Sequence, residues 1–285
     1  RIRAMDNASP PKANSSLKTL EVRPDPGEMI KPAELIDVSG VDHLTLAARR
    51  LYNALIANAF GPEMARQGYE WIISLSDLRG THKGNERLSD SILALMKTVV
   101  TVRLANGTTR RVQLLGGNDM HDEDRKRGVL TYSFDPRLVA LLKNSSVFGK
   151  LEIAVMMAFS TKYALALYEA LARRARLKYK FSEEFSLDEF RDLLGVAEDK
   201  LATFGNLNQY AIKPAVNEIN ALATFGVKVT PVKTGRKVTG VHVGWWQKDI
   251  TELKASFAEL QRHKSGRQAR IEGKVEKITD YFLAK

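Results

Sequence analysis

The 285-residue sequence contains no cysteine, which excludes disulfide scaffolds, cysteine-ligated zinc, iron–sulfur clusters and thiol nucleophiles together. It has no run approaching the ~18 apolar residues of a membrane span, and its Arg1-Ile2-Arg3 start lacks the apolar core of a signal peptide. A cytoplasmic location without a membrane partner is the expectation. Histidine is sparse: His43, His82, His121, His242 and His263 are scattered, with no His-x-His or other paired ligand spacing, so no metal site is expected. The phosphate-loop, Gly-x-Gly-x-x-Gly and Gly-x-Ser-x-Gly signatures are also missing. Neither a cofactor nor a catalytic residue is expected. The acidic group Asp119, Asp122, Glu123 and Asp124 adjoins Arg125-Lys-Arg127 and reads as a solvated loop rather than a carboxylate metal site.

What the sequence has in excess is positive charge. Its 44 Lys and Arg against 33 Asp and Glu leave a net +11, which points to a polyanionic partner, nucleic acid or anionic lipid. At 44% apolar and 27% charged the composition is that of a globular protein long enough for about two domains. A chain of this size buries roughly 75% of its unfolded surface and needs no covalent staple.

Five of nine prolines (Pro10, Pro11, Pro24, Pro26, Pro32) fall within the first 32 residues, which read as a flexible tail over 1–34. Leu44, Leu51, Leu55 and Phe60 then form one apolar helical face. Ser76 is a candidate N-cap for a short helix, and Leu88, Ile92, Leu95 and Met96 mark a third. Alternating strands bracket Asn106-Gly107, a pair suited to the positive φ angles of a type I′ turn. Three helices followed by a hairpin form a winged-helix pattern.

The second half repeats that order. Tyr163, Leu167 and Leu171 mark a helix; Ser186 with Glu189 form a capping box, Phe185 with Phe190 a hydrophobic staple, and Gly195 a stop. Asn206 with Gln209 form a second candidate capping box before the stripe Ile212, Val216, Ile219 and Ala223. Pro214 inside that pattern must kink the helix or restart it. Val227-Lys-Val229 and Val241-His-Val243 alternate around Thr234-Gly235 as a second hairpin. The two blocks, Leu44 to Gly107 and Ser160 to Gly235, are about 63 and 75 residues long, in line with a duplication. The expected fold is α+β: two tandem winged-helix domains, pseudo-duplicated, each a helix-turn-helix with a β-hairpin wing. They occupy 35–150 and 151–250, with a C-terminal tail over 251–285.

Candidate DNA contacts follow from that placement. From Lys228 to Lys248 five basic residues (Lys228, Lys233, Arg236, Lys237, Lys248) and no acidic one surround the second wing, suited to phosphates or a minor groove. Arg173, Arg174, Arg176, Lys178 and Lys180 form another acid-free run; its arginine pair either contacts phosphate or forms internal salt bridges. Asn206, Asn208, Gln209, Lys213 and Asn217 lie where base edges would be read, although helix capping competes for Asn206. In the first domain Lys83, Asn85 and Arg87 adjoin the third helix, and Arg110 and Arg111 sit on the wing. Trp245-Trp246 fits core closure better than a base-stacking platform.

The blocks Lys162-Tyr-Ala-Leu-Ala-Leu-Tyr-Glu-Ala-Leu-Ala-Arg-Arg174, Phe185-Ser-Leu-Asp-Glu-Phe-Arg-Asp-Leu-Leu-Gly195, Lys213-Pro-Ala-Val-Asn-Glu-Ile-Asn220 and Gly235-Arg-Lys-Val-Thr-Gly240 resemble, in this order, the iteron-binding plasmid replication initiators. The resemblance spans most of residues 35–250. It implies a bacterial plasmid protein that binds double-stranded DNA at origin repeats, the iterons. Monomers would help to open an adjacent AT-rich region with the host initiator and replicative helicase. Dimers, joined through the first domain, would repress the protein's own promoter. The main contacts would come from the second domain, through Asn208, Gln209, Lys213 and the wing. The rival readings are a winged-helix repressor that never opens DNA and a nicking enzyme, the latter disfavoured by the absent His-x-His. Val275 to Phe282 also resembles a clamp-binding peptide, though an amphipathic tail packed on the second domain fits better.

Overall fold

The computed structural model describes residues 18–78, 88–103, 107–121, 128–175, 177 and 179–274. Order begins earlier than the proline-rich composition suggests. Thr19 donates its N–H to the Ser145 carbonyl, and β1 (Glu28–Pro32) pairs antiparallel with β7 (Phe148–Glu152) ahead of α1 (Ala33–Ile36). Residues 18–34 of the expected tail are therefore ordered. Met29 and Ile30 are buried, and Pro32 closes a strand end, where its missing N–H is tolerated.

In the first unit α2 (Leu46–Ala59) buries Leu51, Leu55 and Ile56, and Thr45 caps it by accepting the Ala48 N–H. Then come β2 (Trp71–Ser74), α3 (Leu75–Leu78) and α4 (Leu88–Lys97). Ser76 lies inside α3 rather than capping it; the Ser74 hydroxyl accepts the Ser76 N–H instead. The wing is β3 (Val99–Arg103) with β4 (Thr109–Gln113), in the register Val100↔Val112. Asn106 of its turn is outside the described residues, while Gly107 has φ +81°.

Two further strands carry no strong sequence signal. β5 (Asn118–His121) and β6 (Val129–Tyr132) join β2 in the order β2-β6-β5. Of the acidic group, Asp119 lies on β5 and the others are outside the described residues. α5 (Pro136–Leu142), capped by Asp135, leads to β7 and α6 (Ile153–Ala158).

α7 (Lys162–Arg174) follows, then β8 (Ser182–Ser186) and α8 (Leu187–Leu194). Both arms of the Ser186–Glu189 capping box form, the Phe185 and Phe190 rings lie 5.9 Å apart, and left-handed Gly195 ends the helix. The following helix starts at Thr203, whose hydroxyl accepts the Asn206 N–H; the Asn206–Gln209 capping box does not form. That helix is continuous from α9 (Phe204–Leu207) through a π turn (Asn208–Ile212) into α10 (Lys213–Leu222). Pro214 explains the π turn. Its ring would crowd the carbonyl four residues back and it has no N–H to bond it, so the preceding turn widens instead of breaking.

β9 (Phe225–Thr234) and β10 (Lys237–Gln247) form the second wing, and β8 adds to give the order β8-β10-β9. Gly235 supplies the positive φ, +63°, of the wing tip. The chain then forms α11 (Ile250–Gln261) and α12 (Arg267–Ile271). Part of the expected tail is thus helical, at 251–261 and 267–271, while the clamp-like Val275–Phe282 stretch is outside the described residues.

One apolar core extends from Leu51 and Tyr132 through Leu167 to Phe190. Where β1, α2 and α7 meet lies a buried polar triad. Lys31 Nζ donates to Glu169 Oε2 at 2.8 Å and to Asn53 Oδ1 at 2.9 Å, while Asn53 Nδ2 donates to Glu169 Oε1 at 2.6 Å. Burial pulls the Lys31 pKa down, and Glu169 opposes that shift. The connection between α6 and α7 is held at both ends. Arg50 of α2 donates to the Met157 and Phe159 carbonyls, and Glu218 of α10 accepts both the N–H and the hydroxyl of Ser160. No helix among the described residues is long and apolar enough to cross a membrane.

Candidate nucleic-acid interface

The α9–α10 helix sorts its residues by helical spacing. Leu207, Ala211, Ala215 and Ile219 are buried, whereas Asn206, Asn208, Gln209 and Lys213 are exposed as expected. Asn206, freed from the expected capping role, keeps its side chain for other partners. The π turn falls on Asn208 and Gln209, and its extra residue resets which side chains face outward just where base edges would be read. Tyr210 shares the exposed surface, at 57% exposure, and was missed among the sequence candidates. Its signal was present: Tyr210 is four residues after Asn206 and three before Lys213, on the polar side. Asn217 differs, since it is half-buried and lines a cleft between α10 and the chain's C-terminal segment.

The wing carries its charge outward. Lys228, Lys233, Arg236 and Lys237 are exposed and none makes an ion pair among the described residues. Gly240 sits at the wing's base, where β10 crosses β8. A Cβ there would come within 2.5 Å of the Phe185 carbonyl oxygen, so the sheet closes only around glycine.

Three expectations are corrected. Lys248 is buried, not part of the basic wing: its ammonium donates to the Asn220 and Ala223 carbonyls and to Ser256 Oγ, capping the end of α10. Burial lowers its pKa to about 8. Arg174 is also buried, bound to Glu183 at 2.8 Å, facing Asp37 and stacked over Phe185. Arg173 pairs with the other Asp37 oxygen at 2.8 Å. The arginine pair thus takes the internal alternative, tying the end of α7 to Asp37 after α1 and to Glu183 of β8; Arg176 and Lys178 are outside the described residues. Trp245 closes the core as expected, but Trp246 remains 40% exposed.

In the first unit Lys83, Asn85 and Arg87 lie outside the described residues. Arg110 is half-buried and Arg111 exposed on β4. They line a shallow groove with Arg137 of α5, a third cation that no sequence pattern singled out. Asp135 caps α5 and holds the start of the helix that carries it.

Two family models cover most of this architecture. The model described as initiator replication protein, WH1, matches residues 28–172, and that described as initiator Rep protein, WH2, matches 186–245. Both halves are therefore winged helices in tandem. The chain is 26% identical over 175 residues to a probable replication protein of Bifidobacterium longum (strain NCC 2705), covering 59% of this chain and 57% of that protein. It is 30% identical over 105 residues to a replication initiation protein of Escherichia coli, covering 36% of this chain and 32% of that protein. It thus spans well under two thirds of either relative. Among solved structures, the Pi initiator protein, crystallised in complex with iteron DNA, aligns over 79% of this chain and 98% of its own with a TM-score of 0.55. At 16% identity that alignment speaks for a common fold.

Proposed function

Because the chain belongs to the initiator Rep protein family, we propose that it binds repeated iteron sequences at a plasmid origin and thereby starts replication. The observation that carries this reading is one surface: the exposed Asn206–Lys213 segment of a winged helix beside a wing of unpaired cations. The helix residues read bases, because Asn and Gln pair bidentately with adenine and Lys meets guanine or phosphate. The wing supplies phosphate contacts whose affinity comes largely from released counterions. Arg110, Arg111 and Arg137 add a smaller basic surface in the first unit.

The work is mechanical, and no step of it needs a catalytic residue. Binding free energy from several adjacent copies offsets the cost of bending and opening the AT-rich DNA beside them. Host initiator and helicase then load in the bacterial cytoplasm. A dimer joined through the first unit represses the protein's own promoter and so limits plasmid copy number.

The test is a footprint on the plasmid's own origin and promoter at two salt concentrations, with mass measured in the same buffer. Protection of several direct repeats by a monomer is expected. Protection of one inverted repeat alone, by a dimer, would make the protein a repressor and overturn the initiation reading. Lys213→Ala should weaken binding to the repeat more than to random duplex; equal losses would assign Lys213 to phosphate.

A further inference from the structure

Residues 246–274 lie beyond both matched segments, yet they are anchored. Asp249 and Glu252 form a capping box at the start of α11, and Lys248 bonds α11 to the end of α10 through Ser256. Arg267 is buried, donating to the Glu259 carboxylate and to the carbonyls of Glu259, Leu260 and Arg262. Arg270 grips the same carboxylate at 2.7 Å. Lys264 Nζ reaches the Met157 carbonyl at 2.6 Å, before the connection between α6 and α7. These bonds pin the short α12 in a defined place.

That place adjoins the reading helix. Lys264, Gln268 and Lys274 form one wall of a cleft whose facing wall includes Pro214 and Asn217 of α10. Glu272, beside Lys274, lies close enough to Lys213 to feel its charge. From Arg262 to Lys274 the sequence has five Lys and Arg (Arg262, Lys264, Arg267, Arg270, Lys274) and one acidic residue, Glu272. Glu259 occupies the two inner arginines, so those brace the element. The outer cations are presented to solvent: the side chains of Arg262 and Lys274 are 62% and 72% exposed. Arg262 reaches Glu259 at 3.6 Å, a carboxylate already held by Arg267 and Arg270, and Lys274 pairs with Glu272 at the surface, where such pairs contribute little in water and exchange readily for a phosphate.

We propose that Arg262 to Lys274, folded around α12, is a third DNA-contacting element that meets backbone phosphates beside the helix carrying Lys213. The assignment of that helix to DNA is the reading it rests on. Helix and wing position the protein on the duplex, and this element extends the contact past the part matched by the family models. DNA is favoured over an acidic peptide because the element continues a surface whose exposed cations, Lys213 among them, already face outward. The inner arginines matter through rigidity. A pinned element meets phosphate without the ordering cost that a loose basic tail would bear.

The experiment compares the full chain with the double variant Arg262→Ala/Lys274→Ala, both changes being at exposed side chains. Equilibrium binding is measured on a random-sequence duplex and on the footprinted repeat across a salt series. The salt slope should fall by about 1 to 2 on both duplexes, as expected for one or two lost phosphate contacts. Affinity at fixed salt should drop about threefold to tenfold, with the circular-dichroism spectrum unchanged. An unchanged slope on both duplexes overturns the proposal. Because the slope is read on random DNA as well, a wild type that ignores the repeats defeats the initiation reading while leaving this inference to stand or fall on its own slope.

Discussion

Replacing Lys31 with methionine tests whether β1, α2 and α7 are locked together by charge. Lys31 is 5% exposed, and its ammonium contacts Glu169 and Asn53. Methionine fills similar volume but leaves the Glu169 carboxylate buried, with Asn53 Nδ2 as its close donor. Removing one partner of a buried pair typically costs about 3–5 kcal/mol, because the remaining charge stays desolvated and uncompensated. Against a total stability of about 5–15 kcal/mol that loss is large. With a urea m value of about 2 kcal/mol/M, the midpoint should fall by roughly 1.5–2.5 M. Adding Glu169→Gln removes the stranded charge while keeping an oxygen for Asn53. The double variant should therefore recover at least about 1 kcal/mol of the loss. A single variant shifted by less than about 1 kcal/mol, the level of a solvated pair, would refute the reasoning, as would a double variant no better than the single.

Arg236→Ala/Lys237→Ala should lower the salt slope of DNA binding by about 1 to 2; an unchanged slope removes phosphate contact from the wing. Gly240→Ala places a methyl group against the Phe185 carbonyl and should destabilise the fold by about 1–3 kcal/mol in chemical denaturation, whereas an unshifted midpoint would show that β8 can yield. The Glu259 carboxyl is held below its ordinary 4.5, first by its hydrogen bond from Arg270. A depressed folded pKa contributes stability above the unfolded value and loses it as pH falls through the folded one. Hydrogen exchange in α12 should therefore quicken as pH drops below 4.5, relative to intrinsic rates, and Glu259→Gln should abolish that step while loosening α12 at every pH. Equal acid sensitivity in the variant would place the effect elsewhere.

The features that sequence reading located are those decided within a few residues. The Ser186–Glu189 box, the Phe185–Phe190 staple, the Gly195 stop and the Gly235 wing tip each depend on neighbours in the chain, and each forms. Where two local signals compete, spacing alone does not rank them. Thr203 and Asn206 are both good caps, and Thr203 prevails because starting there lets Leu207 as well as Ala211 and Ile219 reach the core. β5 and β6 escaped because short strands of mixed polarity have no pattern until β2 pairs with β6. Charge shows the limit most clearly. Arg174 and Arg236 look alike in a count of basic residues, yet one is claimed by Glu183 and Asp37, the latter far away in the chain, while the other has no carboxylate in reach among the described residues. Availability to phosphate belongs to the fold, since it depends on which carboxylates tertiary packing brings alongside. The same logic separates Arg267, consumed by Glu259, from Lys274, which is 72% exposed and pairs with Glu272 two residues away. A basic run can serve as a binding surface only where tertiary packing leaves its cations exposed, as it does at Lys213, at the tip of the second wing and at Arg262 and Lys274.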